Sequence, residues 1–528
     1  ALPGERVSFQ AAYQADKKIP ADLQIEIEAA QELLAHKRIR RVGNTVVEFL
    51  SNAALPENRE LGFENFRPGL YPDPLREDLE LAHACPGSSY AFFVELTLPE
   101  NLPAGEYLLQ VRLHNNAEKD SASYQTSEVQ ELKLYVGARA LAPERLRNTH
   151  WFYCDCICRA HDCEMFSERF WTLLEKYFCN MIEHGINMIL TPIFTPPLDT
   201  APGSERMSCQ LVKIRKNGAK YSFDFKLLRR WVELAQKCGM KYFEMSHLFT
   251  QWGAKFTPKI EVQVNGRVEK LFGWHQAATS PEYKDFLDQF LPALTRFLGR
   301  SKIAEVTYFH VSDEPWDACL ESYQAATELV KNHLRNFKII DAASHAEFFT
   351  RGIVELPVVG ESEMDKFADL PIKERWTYYC GGHELPCSNR LHTMPLAANR
   401  IIGVLLYIYQ VEGFLHWGYN FWNSGLSRRF CQVLSSEVDW DYNSGDGYLV
   451  YPGADGPLDS QRYEVFYQGL QDLRALNALE AAVGREAVVA LINRVAGMSV
   501  KMDKFPLDNH FPEDLRREIN QLLAESST

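Results

Sequence analysis

The first 140 residues alternate hydrophobic and polar positions, which is the period-two pattern of strands that bury one face. Four runs carry this pattern, and turn residues separate them: residues 7–11, 23–29, 107–113 and 132–136. Several short strands of this kind predict a β-sandwich, with a short helix interrupting it near residues 31–36.

From about residue 148 the pattern changes to amphipathic helices, each ending at a glycine and followed by an apolar strand. Ser167 and Gly185 bound the first predicted helix, and Asp224 and Gly239 bound the second. Eight strands are predicted here, and they begin at Trp151, Asn187, Lys241, Val306, Lys338, Leu356, Arg375 and Gly413. Eight strands alternating with helices predict a (β/α)8 TIM-type barrel. An open doubly wound sheet is the alternative, although no glycine-rich phosphate loop follows any predicted strand.

The predicted fold class is therefore multidomain α/β with β, and the 528 residues divide into three parts. We expect an N-terminal β-sandwich domain at residues 1–140, a (β/α)8 catalytic barrel at 148–480 and a C-terminal helical extension at 481–528.

The formal net charge of −14 disfavours nucleic acid and anionic lipid as partners. A basic run at residues 37–41 is short, and we interpret it as the solvent face of a strand. No stretch is apolar enough to predict a membrane span, and no secretory signal is visible, so we expect a cytoplasmic protein. The 12 cysteines, many within apolar elements, predict reduced thiols rather than a disulfide framework.

Asp313 and Glu314 end the fourth predicted barrel strand, where barrel enzymes carry their catalytic groups. Successive side chains of a regular strand point to opposite faces, so both carboxyls serve one site only if the strand has ended there. Pro315 supports such an end because it cannot donate a hydrogen bond to a sheet. When two carboxyls lie close together, one ionises and the other keeps its proton. Glycosyl transfer needs such a pair, because one group stabilises charge and the other donates a proton. The alternative interpretation is that this pair caps a helix beginning near Trp316.

Aromatic residues at or just after the predicted strand ends favour the site interpretation, because sugar rings stack on aromatic side chains. They are Trp252, Trp274, Trp316, Tyr378, Tyr379, Trp417, Tyr419 and Trp422. A single aromatic residue is more often part of a core, but so many at one rim indicate a carbohydrate site.

Three segments resemble glycoside hydrolase family 123, the β-N-acetylgalactosaminidases: residues 310–315 (HVSDEP), 413–420 (GFLHWGYN) and 445–453 (GDGYLVYPG). The order of a sandwich followed by a barrel resembles that family too. The resemblance implies an exo-acting, retaining hydrolase without metal or organic cofactor. It also implies substrate-assisted catalysis, in which the substrate's 2-acetamido oxygen attacks C1 and forms an oxazoline-type intermediate.

The resemblance implies roles for individual residues. Asp313 would be ionised and bind the acetamido N–H, and Glu314, with a raised pKa, would protonate the leaving oxygen. Tyr378 or Tyr379 would hold the acetamido oxygen, a choice that the sequence leaves open. The further substrate-binding candidates of these segments are Trp417, Asn420, Asp446 and Tyr448.

Other candidates for substrate binding come from their places near strand ends, and they are Trp252, His310, Trp316, Asp155 and Arg159. A rim carboxylate or arginine is also often a loop salt bridge, and a lone histidine is often a satisfied core group. The loop at residues 191–200 is a candidate for shaping the substrate site or is only a stiff connection.

Cys154, Cys156 and Cys158 would lie on one face of a strand and raise the question of a metal. Structural zinc is usually held by two closely spaced cysteine pairs, and no second pair with that spacing follows. We therefore interpret these residues as buried thiols and predict no metal site.

The leading hypothesis is an exo-acting β-N-acetylgalactosaminidase that takes a β-GalNAc-terminated glycan or glycolipid. One alternative is a two-carboxylate retaining glycosidase for sugars without an acetamido group, with Glu314 as acid and Glu244 as nucleophile. A second alternative is a non-catalytic glycan-binding protein. A homodimer through the sandwich or the helical tail stays open.

Overall fold

The computed structural model describes residues 1–18, 23–48, 50, 67–117, 119, 125–383, 386–435 and 443–525. Within these ranges the chain forms antiparallel N-terminal sheets, a closed parallel barrel and C-terminal helices. The predicted fold class is confirmed. None of the helices in the described ranges is both long and apolar enough to cross a membrane.

The N-terminal region packs two antiparallel sheets face to face. Its described residues form β1 (Arg6–Tyr13), β2 (Leu23–Glu28), α1 (Gln31–Leu34), β3 (Lys37–Val47), β4 (Gly69–Arg76), β5 (Tyr90–Thr97), β6 (Gly105–Asn115) and β7 (Gln130–Val136). The sheets have the orders β1-β5-β3-β4 and β2-β6-β7. The apolar members of the alternating pattern, such as Val94 and Val111, meet between the sheets. The four predicted strands and the short helix are confirmed.

The described barrel region contains the eight strands of the barrel itself and the four strands of a separate sheet. They are β8 (Arg147–His150), β9 (Met188–Thr191), β10 (Lys213–Asn217), β11 (Lys220–Asp224), β12 (Tyr242–Met245), β13 (Ile260–Val264), β14 (Arg267–Phe272), β15 (Thr307–Phe309), β16 (Lys338–Ala342), β17 (Leu356–Gly360), β18 (Trp376–Tyr378) and β19 (Gly413–His416). The barrel closes in the parallel order β8-β9-β12-β15-β16-β17-β18-β19, which excludes the open-sheet alternative. Two insertions, after β9 and after β12, form the separate sheet β11-β10-β13-β14.

Helices surround the barrel, and serine caps begin two of them. The helices of this region are α2 (Cys154–Ala160), α3 (Glu168–Glu183), α4 (Lys226–Cys238), α5 (Pro281–Arg300), α6 (Leu320–Leu334), α7 (Ala346–Thr350), α8 (Met364–Phe367), α9 (Leu396–Arg400) and α10 (Ile402–Ile408). The hydroxyl of Ser167 accepts the Phe170 N–H, and that of Ser280 accepts the Tyr283 N–H. Gly239 ends α4 in the left-handed conformation that glycine adopts without strain.

The C-terminal region begins with a two-stranded sheet and continues as helices. Its elements are β20 (Val450–Pro452), β21 (Pro457–Asp459), α11 (Gln461–Val483), α12 (Arg485–Ala496) and α13 (His510–Glu525). α11 contacts the barrel helices α9 and α10 and also the tail helices. α11 continues past residue 480, where the barrel domain was predicted to end. The predicted bounds of the three domains stay predictions. Residues 526–528 of the predicted extension lie outside the described part of the chain.

The first barrel strand lies earlier than predicted. The prediction placed its start at Trp151, but β8 covers Arg147–His150 and α2 begins at Cys154. The cause is the polar character of β8, because Asn148 and His150 are fully buried and interrupt the apolar pattern. The three cysteines therefore lie buried on a helix, not on one face of a strand.

The basic run at residues 37–41 does not simply face solvent, because Arg40 is fully buried. Its guanidinium contacts Asp459 at 2.6 Å and Glu464 at 2.7 Å, and it also pairs with Glu95. Asp459 ends β21 and Glu464 lies on α11, so this part of β3 packs against the C-terminal region. The interpretation of this run as a solvent face is wrong for Arg40.

Candidate active site

A cavity of about 750 Å³ opens at the carboxyl ends of the barrel strands. The barrel residues that line the cavity are Trp151, Asp199, Trp252, Asp313, Glu314, Ala342, Tyr378, Cys380, Gly381, Gly382, Leu415, Trp417, Asn443 and Asp446.

Asp313 and Glu314 both face this cavity because the strand before them has ended. β15 stops at Phe309, and Glu314 has a φ of 41°, a left-handed conformation rare outside glycine. The Trp252 N–H donates to the Asp313 carbonyl at 2.8 Å, which fixes the turn. The backbone of Trp252 is also in the left-handed conformation, with a φ of 60°. Such strained residues concentrate at functional sites.

The two carboxyls resist ionising together. Burial and the neighbouring Glu314 charge hold the pKa of Asp313 well above its usual range. Burial also raises the pKa of Glu314, although the Tyr378 hydroxyl, which donates to it at 2.8 Å, lowers that pKa in part. The predicted raised pKa of Glu314 agrees with this direction. Which member of the pair keeps the proton when substrate binds stays a prediction.

Two further carboxyls line the same cavity. Asp446 accepts hydrogen bonds from Trp417 Nε1 at 2.8 Å and from the Gly381 N–H at 2.7 Å, and burial raises its pKa to about 6. Asp199 accepts from the Tyr153 hydroxyl at 3.2 Å, and burial raises its pKa to about 7. Protonation at the barrel mouth is therefore shared by four interacting acids.

A buried ionic group lies beneath the cavity and supports its walls. Burial alone would lower the pKa of His310, but the carboxylates of Glu244 and Asp341 on either side raise it to about 10. Asp341 also accepts the Val311 N–H at 3.1 Å, just before the turn at Asp313 and Glu314. Glu244 accepts from Trp151 Nε1 at 2.7 Å, so the same group orients a cavity wall.

Of the predicted site residues, the structure brings Asp313, Glu314, Tyr378, Trp417, Trp252 and Asp446 together at the cavity. Glu244, the nucleophile of the alternative hypothesis, is fully buried outside the lining and bonded to Thr149, Trp151 and His310. Tyr379 lies in the core, with its ring 5.1 Å from that of Phe414. The choice between the two tyrosines therefore favours Tyr378, whose hydroxyl reaches the acid pair.

The other predicted binding residues lie outside the cavity lining. Asn420 is buried and bonds the backbone of Tyr153 at 2.9 and 3.1 Å, and His310 lies in the ionic group beneath the cavity. Asp155 is buried and paired with Arg206. Tyr448 is buried beside Tyr451. Arg159 is exposed on α2, and Trp316 is 43% exposed.

Two buried groups combine histidine and carboxylate in the manner of metal ligands: His247, His310 and Asp341, and His184, Asp459 and Glu464. His310 pairs with both Glu244 and Asp341, and Arg40 pairs with both Asp459 and Glu464. A metal ion would have to displace these ion pairs, so the donors fit ionic networks better than a metal centre.

Sequence reasoning missed several lining residues. Asp199 belongs to the loop after the second barrel strand, which was a candidate for shaping the site, but the residue itself carried no signal. Trp151 was taken as part of a strand. Three residues of the N-terminal sandwich also line the cavity, Glu48, Leu50 and Pro68, and no pattern in the sequence pointed to them.

The fold and the site together define a barrel glycosidase: carboxylic acids and aromatic walls meet where the barrel strands end. Residues 151–479 match the family described as "Glycoside hydrolase 123, catalytic domain". The chain belongs to glycoside hydrolase family 123.

A solved structure of this family has the same fold. A family 123 glycoside hydrolase from Clostridium perfringens, studied for glycolipid glycan hydrolysis, is similar over 100% of this chain and 92% of that chain, with 14% identity and a TM-score of 0.73. A family 5 mannosidase from Rhizomucor miehei matches 65% of this chain and 96% of its own, with 13% identity and a TM-score of 0.35. No curated protein matches the chain.

Proposed function

We propose that this glycoside hydrolase releases terminal β-linked N-acetylgalactosamine from glycans or glycolipids by substrate-assisted catalysis. The observation that carries the proposal is the turn at Asp313 and Glu314, which directs two adjacent carboxyls into one cavity. Adjacent residues suffice for this mechanism because the substrate supplies the nucleophile, whereas a two-carboxylate enzyme needs its acids on opposite sides of the bond.

In the first step the acetamido oxygen attacks C1 while the bond from C1 to the leaving oxygen breaks. Glu314 gives its proton to that oxygen, and the leaving group departs as an alcohol. Asp313 accepts a hydrogen bond from the acetamido N–H and stabilises the positive charge of the oxazolinium. In the second step water attacks C1, Glu314 takes the proton from the water, and the acetamido group is restored.

This division of roles depends on the bound substrate, because the cavity alone disfavours the ionised form of Asp313. Asp313 is costly to ionise there, since burial and three other carboxyls, those of Glu314, Asp199 and Asp341, raise its pKa. An acetamido N–H and a developing cation would relieve that cost as the transition state forms. An interaction that strengthens toward the transition state lowers the barrier rather than only tightening substrate binding.

The remaining roles follow from position. Tyr378 would hold the acetamido oxygen beside Glu314, and Trp417, oriented by Asp446, would form the wall on which the sugar stacks. The Clostridium perfringens relative was studied on glycolipid glycans, which supports glycolipids as one class of natural substrate.

A stable thiazoline analogue of the galacto-configured oxazoline tests the proposal. We expect it to inhibit competitively and to bind at least about 100-fold more tightly than N-acetylgalactosamine, as analogues of reactive species do. Asp313→Asn should weaken the analogue far more than the sugar. An active enzyme that binds the analogue no more tightly than the sugar would contradict the mechanism.

One observation bears on the two-carboxylate alternative. Glu244 lies beneath the cavity, so a nucleophile of the enzyme would have to come from another carboxyl of the lining besides Glu314: Asp313, Asp199, Asp446 or Glu48. That alternative requires turnover of sugars without an acetamido group. A glycan-binding protein without catalysis would bind sugar, show no turnover and be unaffected by Glu314→Gln.

A further inference from the structure

The N-terminal sandwich contributes part of the wall of the catalytic cavity. Glu48 and Leu50 follow β3, Pro68 precedes β4, and all three line the cavity that holds Asp313 and Glu314. The end of the β3–β4 pair at which Val47 pairs with Gly69 therefore meets the mouth of the barrel. This wall comes from the other domain of the chain, so loops of the barrel alone do not complete the site.

Buried polar contacts hold β3 and β4 in place against the barrel region and the C-terminal elements β21 and α11. Arg40 of β3 pairs with Asp459 at 2.6 Å, and the Thr45 hydroxyl donates to the Val433 carbonyl at 3.0 Å. Asp73 of β4 accepts from Arg462 Nε at 3.1 Å. Separating the two units would expose or strand these buried charges, which is costly. These contacts anchor the two strands from which the sandwich wall extends.

The wall lies at the outer part of the cavity. Glu48 and Pro68 are exposed and Leu50 is half-buried, whereas Leu415 and Trp151 at the base are buried. An exo-acting enzyme takes the terminal sugar at the base, and the rest of the glycan must leave through the mouth. Side chains at this rim would therefore contact the part of the substrate beyond the cleaved bond.

The chemistry of the rim suits a second sugar ring. Leu50 and Pro68 offer apolar surface to the C–H face of a pyranose, and the Glu48 carboxylate can accept hydrogen bonds from hydroxyls. Cavities that enclose drug-sized ligands measure roughly 300–1,000 Å³. The volume of about 750 Å³ here lies in the upper part of that range, with room beyond one ring.

The geometry points to Glu48, Leu50 and Pro68 as an aglycone subsite that binds the sugar attached to the terminal N-acetylgalactosamine. This inference rests on the proposed function. It gives the sandwich a direct role in choosing substrates by the residue next to the cleaved linkage.

Binding to the full chain carrying Glu314→Gln tests the subsite without turnover. The probes are free N-acetylgalactosamine, which lacks an aglycone, and the disaccharide in which N-acetylgalactosamine is β-linked to galactose. Adding Glu48→Ala or Leu50→Ser should weaken disaccharide binding about five- to tenfold, as the loss of one contact does, and leave the monosaccharide unchanged. Leu70→Ser is the matched control, because Leu70 is 68% exposed on β4 and outside the cavity lining.

The outcomes separate the two proposals. Equal weakening of both sugars, or no weakening of either, would overturn the subsite while leaving the proposed function in place. Failure of the Glu314→Gln parent to bind N-acetylgalactosamine would overturn the proposed function and the subsite with it.

Discussion

The buried carboxyls at the sandwich–barrel junction and those at the barrel mouth differ in the charges that face them. Burial alone would raise the pKa of every one of these groups. At the junction the guanidinium of Arg462 holds the pKa of Asp73 well below its usual range, and Arg6 does the same for Glu464. At the mouth, Asp313 and Glu314 face other acids and have raised pKa values.

The comparison teaches that burial by itself does not decide what an acid does. With a guanidinium in contact, a buried carboxylate stays charged and stabilises the attachment of two domains. Without one, its protonated form is favoured, which is a property of catalytic acids.

Glu314→Gln should have the largest effect, since the mouth would lose its proton donor. We expect kcat on natural linkages to fall by about 10²–10⁴, the usual contribution of a general acid, with little change in sugar affinity. Asp317→Asn, an exposed carboxyl three residues further on, is the matched control and should be neutral. Near-normal turnover by Glu314→Gln would break the assignment of the mouth as a catalytic site.

Arg40→Met tests the junction. Removing the buried guanidinium leaves Asp459 and Glu464 without that partner, so the free energy of unfolding should fall by about 3–5 kcal/mol in urea titrations. Arg38→Met is the control, because Arg38 also contacts Asp459, at 3.2 Å, but its side chain is 41% exposed. The control should lose at most about 1 kcal/mol. Equal losses in the two variants would mean that burial does not distinguish these ion pairs.

The pH profile tests the acid at the mouth. Glu314 must be protonated to act, so kcat/KM falls as pH rises through its pKa. Tyr378→Phe removes the hydrogen bond that lowers this pKa, and the alkaline limb should move to higher pH. Asp446→Asn removes a negative charge that raises it, so the limb should move to lower pH. Shifts in the same direction would show that Glu314 does not set this limb.

Asp199→Asn tests a third acid of the cavity through its effect on stability. The folded pKa of about 7 lies above the unfolded value of about 4. The unfolded chain therefore releases this proton first, and the wild type loses stability as pH rises through that window. The variant should be more stable than the wild type at pH 8 and nearly equal to it at pH 4. Thermal unfolding at the two pH values measures it, and an equal gain at both would contradict the raised pKa.

The fold could be predicted largely from the hydrophobic periods, since the sandwich and barrel strands bury regular faces. The exceptions are strands that bury polar or charged side chains. β8 carries buried polar residues such as Asn148 and His150, and β3 buries Arg40 against distant acids. A pattern along one strand cannot indicate a partner that is several hundred residues away.

Some cavity residues could be predicted because barrel enzymes carry their site residues where the strands end. These are Asp313, Glu314, Tyr378 and Trp417. Tyr378 and Tyr379 could not be separated, because neighbours on a strand differ only in which face they occupy, and only the register decides it. The sandwich wall could not be foreseen, because its residues reach the cavity only through the docking of two domains.

The most direct measurement compares the nitrophenyl β-N-acetylgalactosaminide with the matching nitrophenyl β-galactoside under identical conditions. The account predicts release of nitrophenol from the acetamido sugar alone, because the substrate provides its own nucleophile. Comparable turnover of the plain galactoside would contradict it and would direct the search for an enzyme nucleophile to the carboxyls of the cavity lining besides Glu314.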